Sequence, residues 1–204
     1  MNAQRLVILG FGGHARSVAD VALVCGYSSL LFVDSNARDG EHFMGHPVVA
    51  ELDVIARTCD VFPGAGDNAT RKQQCREIAR SGVVPVTLIS PLASVGVGST
   101  IGVGCFVGHH AHIGPMAKVE EGCIINTGAI IEHESEVGAY AHVSVNATIA
   151  GRSALGSLSM LGAGATIIDR VKVGDGITIG AGAVVHRSIS APGTYVGVPA
   201  VQLF

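Results

Sequence analysis

The chain of 204 residues contains no tryptophan, only six phenylalanines and three tyrosines, and few charged residues. Its core therefore cannot be built around large rings, although 48% of the residues are hydrophobic. The core must consist mainly of valine, isoleucine, leucine and alanine, and the 28 glycines indicate many tight turns between them. The length suffices for one large or two small domains.

Other absences disfavour whole classes of protein. The net charge is −3 and no basic stripe is visible, which argues against a nucleic acid as the main partner. No apolar run reaches the ~18 residues of a membrane span, and the N-terminus lacks the layout of a signal peptide. The cysteines are odd in number and lack metal-binding spacing, so we expect reduced thiols in the cytoplasm; they are Cys25, Cys59, Cys75, Cys105 and Cys123.

The first 88 residues alternate between strand and helix patterns. Predicted strands cover 5–10, 30–33, 61–62 and 83–88, and predicted helices cover 14–25 and 70–81. This βαβ order predicts a small parallel sheet with covering helices, and so an α/β, Rossmann-like domain over residues 1–88.

From Ile89 the apolar pattern changes to a period of six. In sixteen consecutive hexads the first residue is always Ile, Val or Leu, and in fourteen of them the fifth is Ala, Ser or Cys. Hexapeptide periodicity is the signature of a parallel β-helix, which we predict for residues 89–204. Strand alternation directs the fifth and first residues inward and the sixth outward, while the second to fourth form the turn. Three hexads per coil give about five coils.

The outward sixth residues sort into three faces of the prism. Faces 1 and 2 carry apolar and aromatic side chains, so we expect both to pack against other subunits in a homotrimer; the alternative is that the N-terminal domain covers them. Face 1 carries Phe106, Ile124, His142, Met160 and Thr178; face 2 carries His112, Ile130, Thr148, Thr166 and Val184; face 3 carries Thr100, Lys118, Glu136, Ala154 and Lys172.

His133 is the candidate general base. It is a third hexad residue, at a corner turn, between Glu132 and Glu134. A neutral imidazole suits proton abstraction near pH 7, and a carboxylate can orient the ring. The alternative is an exposed histidine in an acidic turn. His142 lies half a coil away, so the two histidines can meet only if His142 comes from a neighbouring subunit.

Three small residues are predicted to line an acyl-donor site. Gly151 follows His133 by one coil at the same corner, and its N–H can donate to a tetrahedral intermediate. Ala163 and Ala181 are also one coil apart and leave room for a pantetheine arm. His109, His110 and His112 resemble a metal cluster, but no cysteine or carboxylate completes a set, and we expect no metal.

The N-terminal domain carries a glycine-rich turn, Gly10-Phe-Gly-Gly-His-Ala15, with Asp34 at the end of the next strand. This resembles a dinucleotide fingerprint. However, 88 residues supply only half of a dinucleotide site, so a nucleotide-linked sugar fits better, with its diphosphate at a helix N-terminus. A second turn, Gly64 to Asn68, is expected to line the same crevice with Arg71; alternatively Arg71 is a solvated helix residue.

These segments resemble the hexapeptide-repeat sugar O- and N-acetyltransferases, whose β-helix is left-handed. That group includes the bacillosamine-pathway N-acetyltransferase and the sialic acid O-acetyltransferase. The resemblance rests on the glycine-rich turn, on residues 66–71, on the run from Asn126 through His133 to His142, on Ala150-Gly151 and on the ending at 193–200.

The resemblance implies an acetyl-CoA-dependent acetyltransferase with no metal. It makes His133 the general base and Glu134 the residue that raises its basicity. The implied acetyl-CoA contacts are His142, Gly151, Ala163 and Ala181, and the implied sugar-nucleotide contacts are Gly12, Gly13, His14, Asp34, Ser35, Gly66 and Asn126. The favoured acceptor is a UDP-linked 4-amino-4,6-dideoxy sugar. GDP- or dTDP-linked amino sugars, sialic acid and a non-catalytic scaffold are the alternatives. Asn146, Arg152 and the Val201-Gln202 ending depart from the usual pattern.

Overall fold

The computed structural model describes residues 5–51 and 59–203. Its N-terminal part is a five-stranded sheet with strand order β3-β4-β2-β1-β5. The strands are β1 (Arg5–Leu9), β2 (Ser29–Val33), β3 (His42–Phe43), β4 (His46–Val49) and β5 (Asp60–Pro63). The helices are α1 (Gly13–Val24) and α2 (Asn68–Arg80).

The predicted Rossmann-like domain is confirmed. Strands β2, β1 and β5 pair in parallel, and β2 also pairs in parallel with β4. The apolar face of α1, including Val18 and Ala22, is fully buried against the sheet. The antiparallel β3–β4 hairpin was not predicted, because its two strands are too short for a period-two pattern to show.

The strand predicted over residues 83–88 is wrong except at its end. Residues 83–87 form an irregular connection, and only Leu88–Ile89 is a strand, paired with Phe106–Val107. Pro85 lies within this segment and has no N–H to donate, which disfavours a paired strand there.

The C-terminal part is a left-handed parallel β-helix, as predicted. Its short strands form three sheets, each stacking strands one coil apart, with a closing hairpin at the C-terminal end. The face 1 sheet contains Leu88–Ile89, Phe106–Val107, Ile124–Ile125, His142–Val143, Met160–Leu161, Ile177–Ile179, Gly193–Val196 and Val201–Gln202. The face 2 sheet contains Ser94–Val95, His112–Ile113, Ile130–Ile131, Thr148–Ile149, Thr166–Ile167 and Val184–Val185. The face 3 sheet contains Thr100–Ile101, Lys118–Val119, Glu136–Val137, Ala154–Leu155 and Lys172–Val173.

The predicted hexad geometry is confirmed by the register. Ile124 pairs with His142 and Ile125 with Val143, so equivalent residues stack one coil apart. The inward residues Ile125 and Val143 are fully buried. Turns join the faces at three corners: corner A between faces 1 and 2 (126–128 in one coil), corner B between faces 2 and 3 (132–134), and corner C between faces 3 and 1 (138–140).

The turns impose two different requirements on their residues. The fourth hexad residue adopts a left-handed backbone in nearly every coil, and several are not glycine; Glu134, beside the candidate base, has φ +58°. The second residue lies against the next coil. At Gly114 a Cβ atom would stand 2.7 Å from the backbone nitrogen of His133, so only glycine fits there.

Face 1 is not a subunit interface over its first coils, which corrects the expectation from the sequence. Phe106 and Ile124 are buried in the same apolar cluster as Leu6, Phe32 and Val18 of the N-terminal domain. The domain of the same chain therefore covers this face. Face 2 stays uncovered by the described residues of this chain, and Ile130 at its centre is 36% exposed.

Neither helix of the described residues is long and apolar enough to cross a membrane.

Candidate active site

His133 lies exposed at corner B, and its ring lies over the next coil. A Cβ atom at Gly151 would stand 2.5 Å from His133 Nε2 and 2.7 Å from its Cε1. The ring therefore occupies the space that a larger residue at position 151 would fill. The sequence placed these two residues at one corner, and the structure shows that the imidazole rests directly on the glycine.

The backbone N–H groups of Gly151, Ala163 and Ala181 are open to a ligand. All three are third hexad residues, whose N–H groups point away from the inter-coil ladder. In several other coils a side chain caps this N–H, as Asp175 does for Ser157 at 2.7 Å. At these three residues no hydrogen-bond acceptor lies among the described residues. The structure thus presents free donors at the positions assigned by resemblance to acetyl-CoA, with Gly151 at corner B and both alanines at corner A.

Two carboxylates, those of Glu134 and Asp169, lie at the same corner as His133. Glu134 is exposed, and among the described residues no hydrogen bond joins its carboxylate to the ring. Asp169, two coils beyond His133 at corner B, places Oδ1 3.1 Å from the Cβ position that Gly151 lacks. Arg152 holds that carboxylate through Nη2, at 3.0 and 3.2 Å. Asp169 is not among the site residues predicted from the sequence, although its 36-residue spacing from His133 places it at the same corner.

A second group of polar residues lies between the domains, on face 1. The Asn126 side-chain oxygen accepts the Thr127 N–H at 2.8 Å, so the Asn126 amide nitrogen faces His142 Nε2 at 3.3 Å. An amide nitrogen only donates, hence Nε2 of the neutral ring must be the acceptor and the ring proton must reside on Nδ1. The His142 ring also hydrogen-bonds the Gly66 backbone.

His14 completes this interdomain group. Its ring stacks edge-on against Phe106, with centroids 4.9 Å apart, and lies 6.4 Å from the His142 ring. A Cβ atom at Gly66 would stand 3.4 Å from the His14 Cβ. His14 Nε2 is buried and has no hydrogen-bond partner among the described residues. An orphaned polar atom of this kind needs an explanation, and a bound substrate would supply a partner.

Both interdomain histidines are held neutral. Burial, followed by the charge of Arg71, lowers the pKa of His142 from 6.5 to about 4. Burial, followed by the charges of His142 and Arg71, lowers the pKa of His14 to about 3. Removing a ring from water disfavours its charged form, and a nearby cation adds to that effect. At neutral pH each ring therefore offers one donor and one acceptor.

The glycine-rich turn leaves the N-terminus of α1 open. Gly12 is the N-cap, and no side chain caps the helix. A Cβ atom at Gly12 or at Gly13 would meet nothing within 4 Å, so the backbone is accessible to a ligand there. The first N–H groups of a helix, with the helix dipole, favour an anion such as a phosphate.

Asp34 braces this turn. Its Oδ2 accepts the Phe11 N–H at 2.8 Å and its Oδ1 accepts the Asn36 N–H at 2.9 Å. These hydrogen bonds, that from Asn36 first, keep the pKa of Asp34 below its ordinary value. Asp34 and Ser35 line a cleft of about 360 Å³ between the ends of β1 and β2 and helix α2.

Arg71 is neither solvated nor part of that cleft, which corrects both readings of the sequence. Its side chain is fully buried and hydrogen-bonds backbone carbonyls of both domains.

The histidines at 109, 110 and 112 are dispersed. His109 bonds Ser90 and Asp20, and His112 bonds Ser94. Among the described residues no group of three side chains is arranged to hold a metal ion.

Within one chain, the predicted site residues form separate groups. His14, Gly66, Asn126 and His142 meet at the interdomain cleft. His133 and Gly151 lie at corner B, across the prism from His142 on face 1. The structure does not bring the candidate base and His142 together in a single subunit.

Comparison with known proteins supports the same chemistry. The family model described as the PglD N-terminal domain matches residues 5–78. The acetyltransferase domain of PglB from Neisseria gonorrhoeae FA1090, solved in complex with acetyl coenzyme A, is 31% identical, with a TM-score of 0.94 over 99% of this chain and 100% of that one. A variant of GDP-perosamine N-acetyl transferase from Caulobacter crescentus, in complex with CoA and GDP-perosamine, is 29% identical, with a TM-score of 0.89 over 98% and 96%. No curated protein matches the chain.

The full-length likeness to the gonococcal domain includes both the Rossmann-like part and the β-helix. Together with the match of residues 5–78, this likeness relates the chain to acetyltransferases and disfavours a non-catalytic scaffold. The chain therefore belongs to the hexapeptide-repeat family of sugar N-acetyltransferases, and it is an acetyltransferase.

Proposed function

We propose that this enzyme transfers the acetyl group of acetyl-CoA to the 4-amino group of a nucleotide-linked amino-dideoxy sugar, with a UDP-linked sugar as the favoured acceptor. The observation that carries the proposal is that one chain combines a glycine-rich turn suited to a nucleotide with free N–H donors on the β-helix. The open N-terminus of α1 suits a diphosphate, and the third-residue N–H groups suit the carbonyls of a pantetheine arm.

In the proposed reaction His133 removes the proton from the attacking amine. The amine nitrogen forms a bond to the thioester carbonyl carbon, and the carbonyl oxygen becomes an oxyanion. The Gly151 N–H stabilises that oxygen, because its donor is already in place and needs no reorganisation. As the intermediate collapses, the carbon–sulfur bond breaks and the coenzyme A thiolate leaves, taking up the proton that His133 holds.

The N-terminal domain binds the sugar nucleotide in this proposal. Gly12 and Gly13 receive the diphosphate, while the cleft at Asp34 and Ser35 receives the nucleoside. The sugar then extends toward His14, Gly66 and Asn126, where the orphaned Nε2 of His14 gains a partner.

A homotrimer built through face 2 completes the site. Face 2 is flanked by corner A, with Asn126 and Ala163, and by corner B, with His133 and Gly151. Packing face 2 and its flanks against neighbouring subunits brings corner B of one subunit beside corner A of the next. The exposed Ile130 supports burial of this face, and the prism shape favours threefold closure.

A GDP-linked amino sugar is the second candidate acceptor, because the Caulobacter relative binds GDP-perosamine. The test is thiol release from acetyl-CoA in the presence of UDP-, GDP- and dTDP-linked 4-amino sugars. We expect turnover with one nucleotide class and none with the 4-hydroxy counterparts. Turnover with free sialic acid alone, or with no amino sugar, would overturn the proposal.

A further inference from the structure

The strongest unassigned feature is the buried guanidinium of Arg71, on α2. Arg71 is fully buried, and within the described part of the chain its six hydrogen bonds go to neutral oxygens rather than to a carboxylate. Nε donates to Gly122 at 2.6 Å, Nη1 to Gly66 at 3.0 Å, and Nη2 to Tyr140 at 2.7 Å and to the Asn68 side chain at 2.8 Å. Longer bonds reach the carbonyls of Ala65 and Ala141, each at 3.3 Å.

These acceptors belong to both domains. Ala65 and Gly66 lie in the loop before α2, whereas Gly122 and Tyr140 lie at corner C of the β-helix. A guanidinium presents five donors in a rigid plane, so it can fix both backbones at once, which a lysine ammonium cannot do. Burying a charge is costly, and apolar packing could have joined the domains without it. The buried charge therefore indicates a role other than holding the two domains together.

The hydrogen bonds of the Arg71 guanidinium reach the backbone of the candidate site. The Gly66 carbonyl that Arg71 binds belongs to the residue whose backbone also hydrogen-bonds the His142 ring. The Tyr140 and Ala141 carbonyls, bound by Nη2, directly precede His142 in the chain. Arg71 thus holds the backbone on both sides of the contact between Gly66 and His142.

We propose that Arg71 is a positioning residue for acetyl transfer, which fixes the Gly66 loop and the His142 ring relative to the β-helix. This rests on the proposed function, in which the nucleotide binds the N-terminal domain and acetyl-CoA binds the β-helix. The diphosphate contacts at Gly12 and Gly13 and the free donors on the β-helix do not depend on Arg71, so most of each substrate's binding survives its loss. The amine and the thioester, however, are no longer held in register. The loss must then appear in kcat rather than in either binding constant.

The test is Arg71→Lys, which keeps the charge and removes the planar fork, with Arg80→Lys as the matched control on the exposed face of α2. We expect kcat to fall by about 10²-fold, the order expected for a misplacement near 1 Å. Dissociation constants for acetyl-CoA and for the sugar nucleotide, each measured alone by calorimetry, should stay close to those of the wild type. A folded Arg71→Lys enzyme with wild-type kcat would overturn the proposal, as would a kcat loss matched by an equal loss of folded protein.

A second measurement needs no turnover. The His142 imidazole signal is assigned by its absence in His142→Ala, then titrated by NMR in the wild type, Arg71→Lys and Arg80→Lys. We expect Arg71→Lys to shift this signal and Arg80→Lys to leave it unchanged; an unshifted signal in Arg71→Lys overturns the inference. Wild-type inactivity with every amino-sugar nucleotide would instead overturn the proposed function, while the NMR comparison would still decide the role of Arg71.

Discussion

At the scale of single residues, the catalytic assignment depends on His133, whose exposed ring fills no core space. We predict that His133→Ala lowers kcat by ~10²–10⁴, the usual worth of general-base assistance, or roughly 3–5 kcal/mol of barrier. The melting temperature and the KM for acetyl-CoA should change little. Steady-state kinetics on the purified protein measure this effect. Near wild-type turnover would mean that positioning and the Gly151 donor suffice for catalysis.

Gly151 supplies a second test at the same scale, because the His133 ring occupies the space of its missing side chain. In Gly151→Ala the new Cβ would stand 2.5 Å from His133 Nε2, so the ring must swing away. We predict a kcat loss of about 10²-fold with little change in stability. The matched control is the double variant with His133→Ala. If ring displacement is the cause, adding Gly151→Ala to His133→Ala costs nothing further; additive losses would contradict it.

The interdomain histidines link residue chemistry to stability. Both pKa values lie below the ordinary 6.5 in the folded protein, at about 4 for His142 and about 3 for His14, because burial disfavours the charged rings. The unfolded chain therefore binds these protons more readily. The contribution of the neutral rings to the free energy of unfolding is fully present above pH 6.5. It declines as the pH falls toward the pKa values of the folded protein, by at most about 1.4 kcal/mol per pH unit for each ring.

The corresponding prediction is that the free energy of unfolding depends less steeply on pH in His14→Phe than in the wild type. The phenylalanine keeps the edge-on packing on Phe106 but cannot titrate. Urea unfolding between pH 7.5 and 4.5 measures the slope. His186→Gln, which removes an exposed histidine, should retain the wild-type slope. Identical slopes in His14→Phe and the wild type would show that His14 does not contribute.

At the scale of secondary-structure elements, the loop that joins β1 to α1 depends on Asp34 at the end of β2. Its carboxylate accepts the Phe11 N–H and so fixes the turn that opens the helix. We predict that Asp34→Ala weakens binding of the sugar nucleotide and leaves acetyl-CoA binding intact, since the free N–H donors at Gly151, Ala163 and Ala181 lie on the β-helix. Calorimetry with each ligand measures the two affinities separately. Equal losses of affinity for the sugar nucleotide and for acetyl-CoA would contradict the assignment of the two ligands to different domains.

At the scale of the whole molecule, the proposed function places corner B of one subunit beside the interdomain cleft of another. We predict a trimer at micromolar concentration in sedimentation experiments. Ile130→Glu, in the exposed centre of face 2, should weaken the trimer and reduce activity in parallel, whereas Lys118→Glu on face 3 should do neither. A wild-type monomer with full activity would exclude both the trimer and the shared site.

The sequence by itself determined the β-helix, the hexad position of each residue and the placement of Gly151 one coil from His133 at the same corner. It could do so because a period of six assigns every residue to the core, to a face or to a corner through local backbone geometry alone. The βαβ order and the glycine-rich turn likewise predicted the N-terminal domain, since both are local patterns.

Only the tertiary structure decided how the two domains meet. No periodic pattern encodes a docking angle, so the sequence leaves open whether subunits or the N-terminal domain cover face 1. The favoured subunit interface is wrong at Phe106 and Ile124, which the N-terminal domain covers. Arg71 appeared to be a polar helix residue, because its carbonyl partners at corner C lie 51 and 69 residues further along the chain. Contacts of that range depend on how two finished surfaces fit together, and this fit is a property of the folded molecule rather than of any segment.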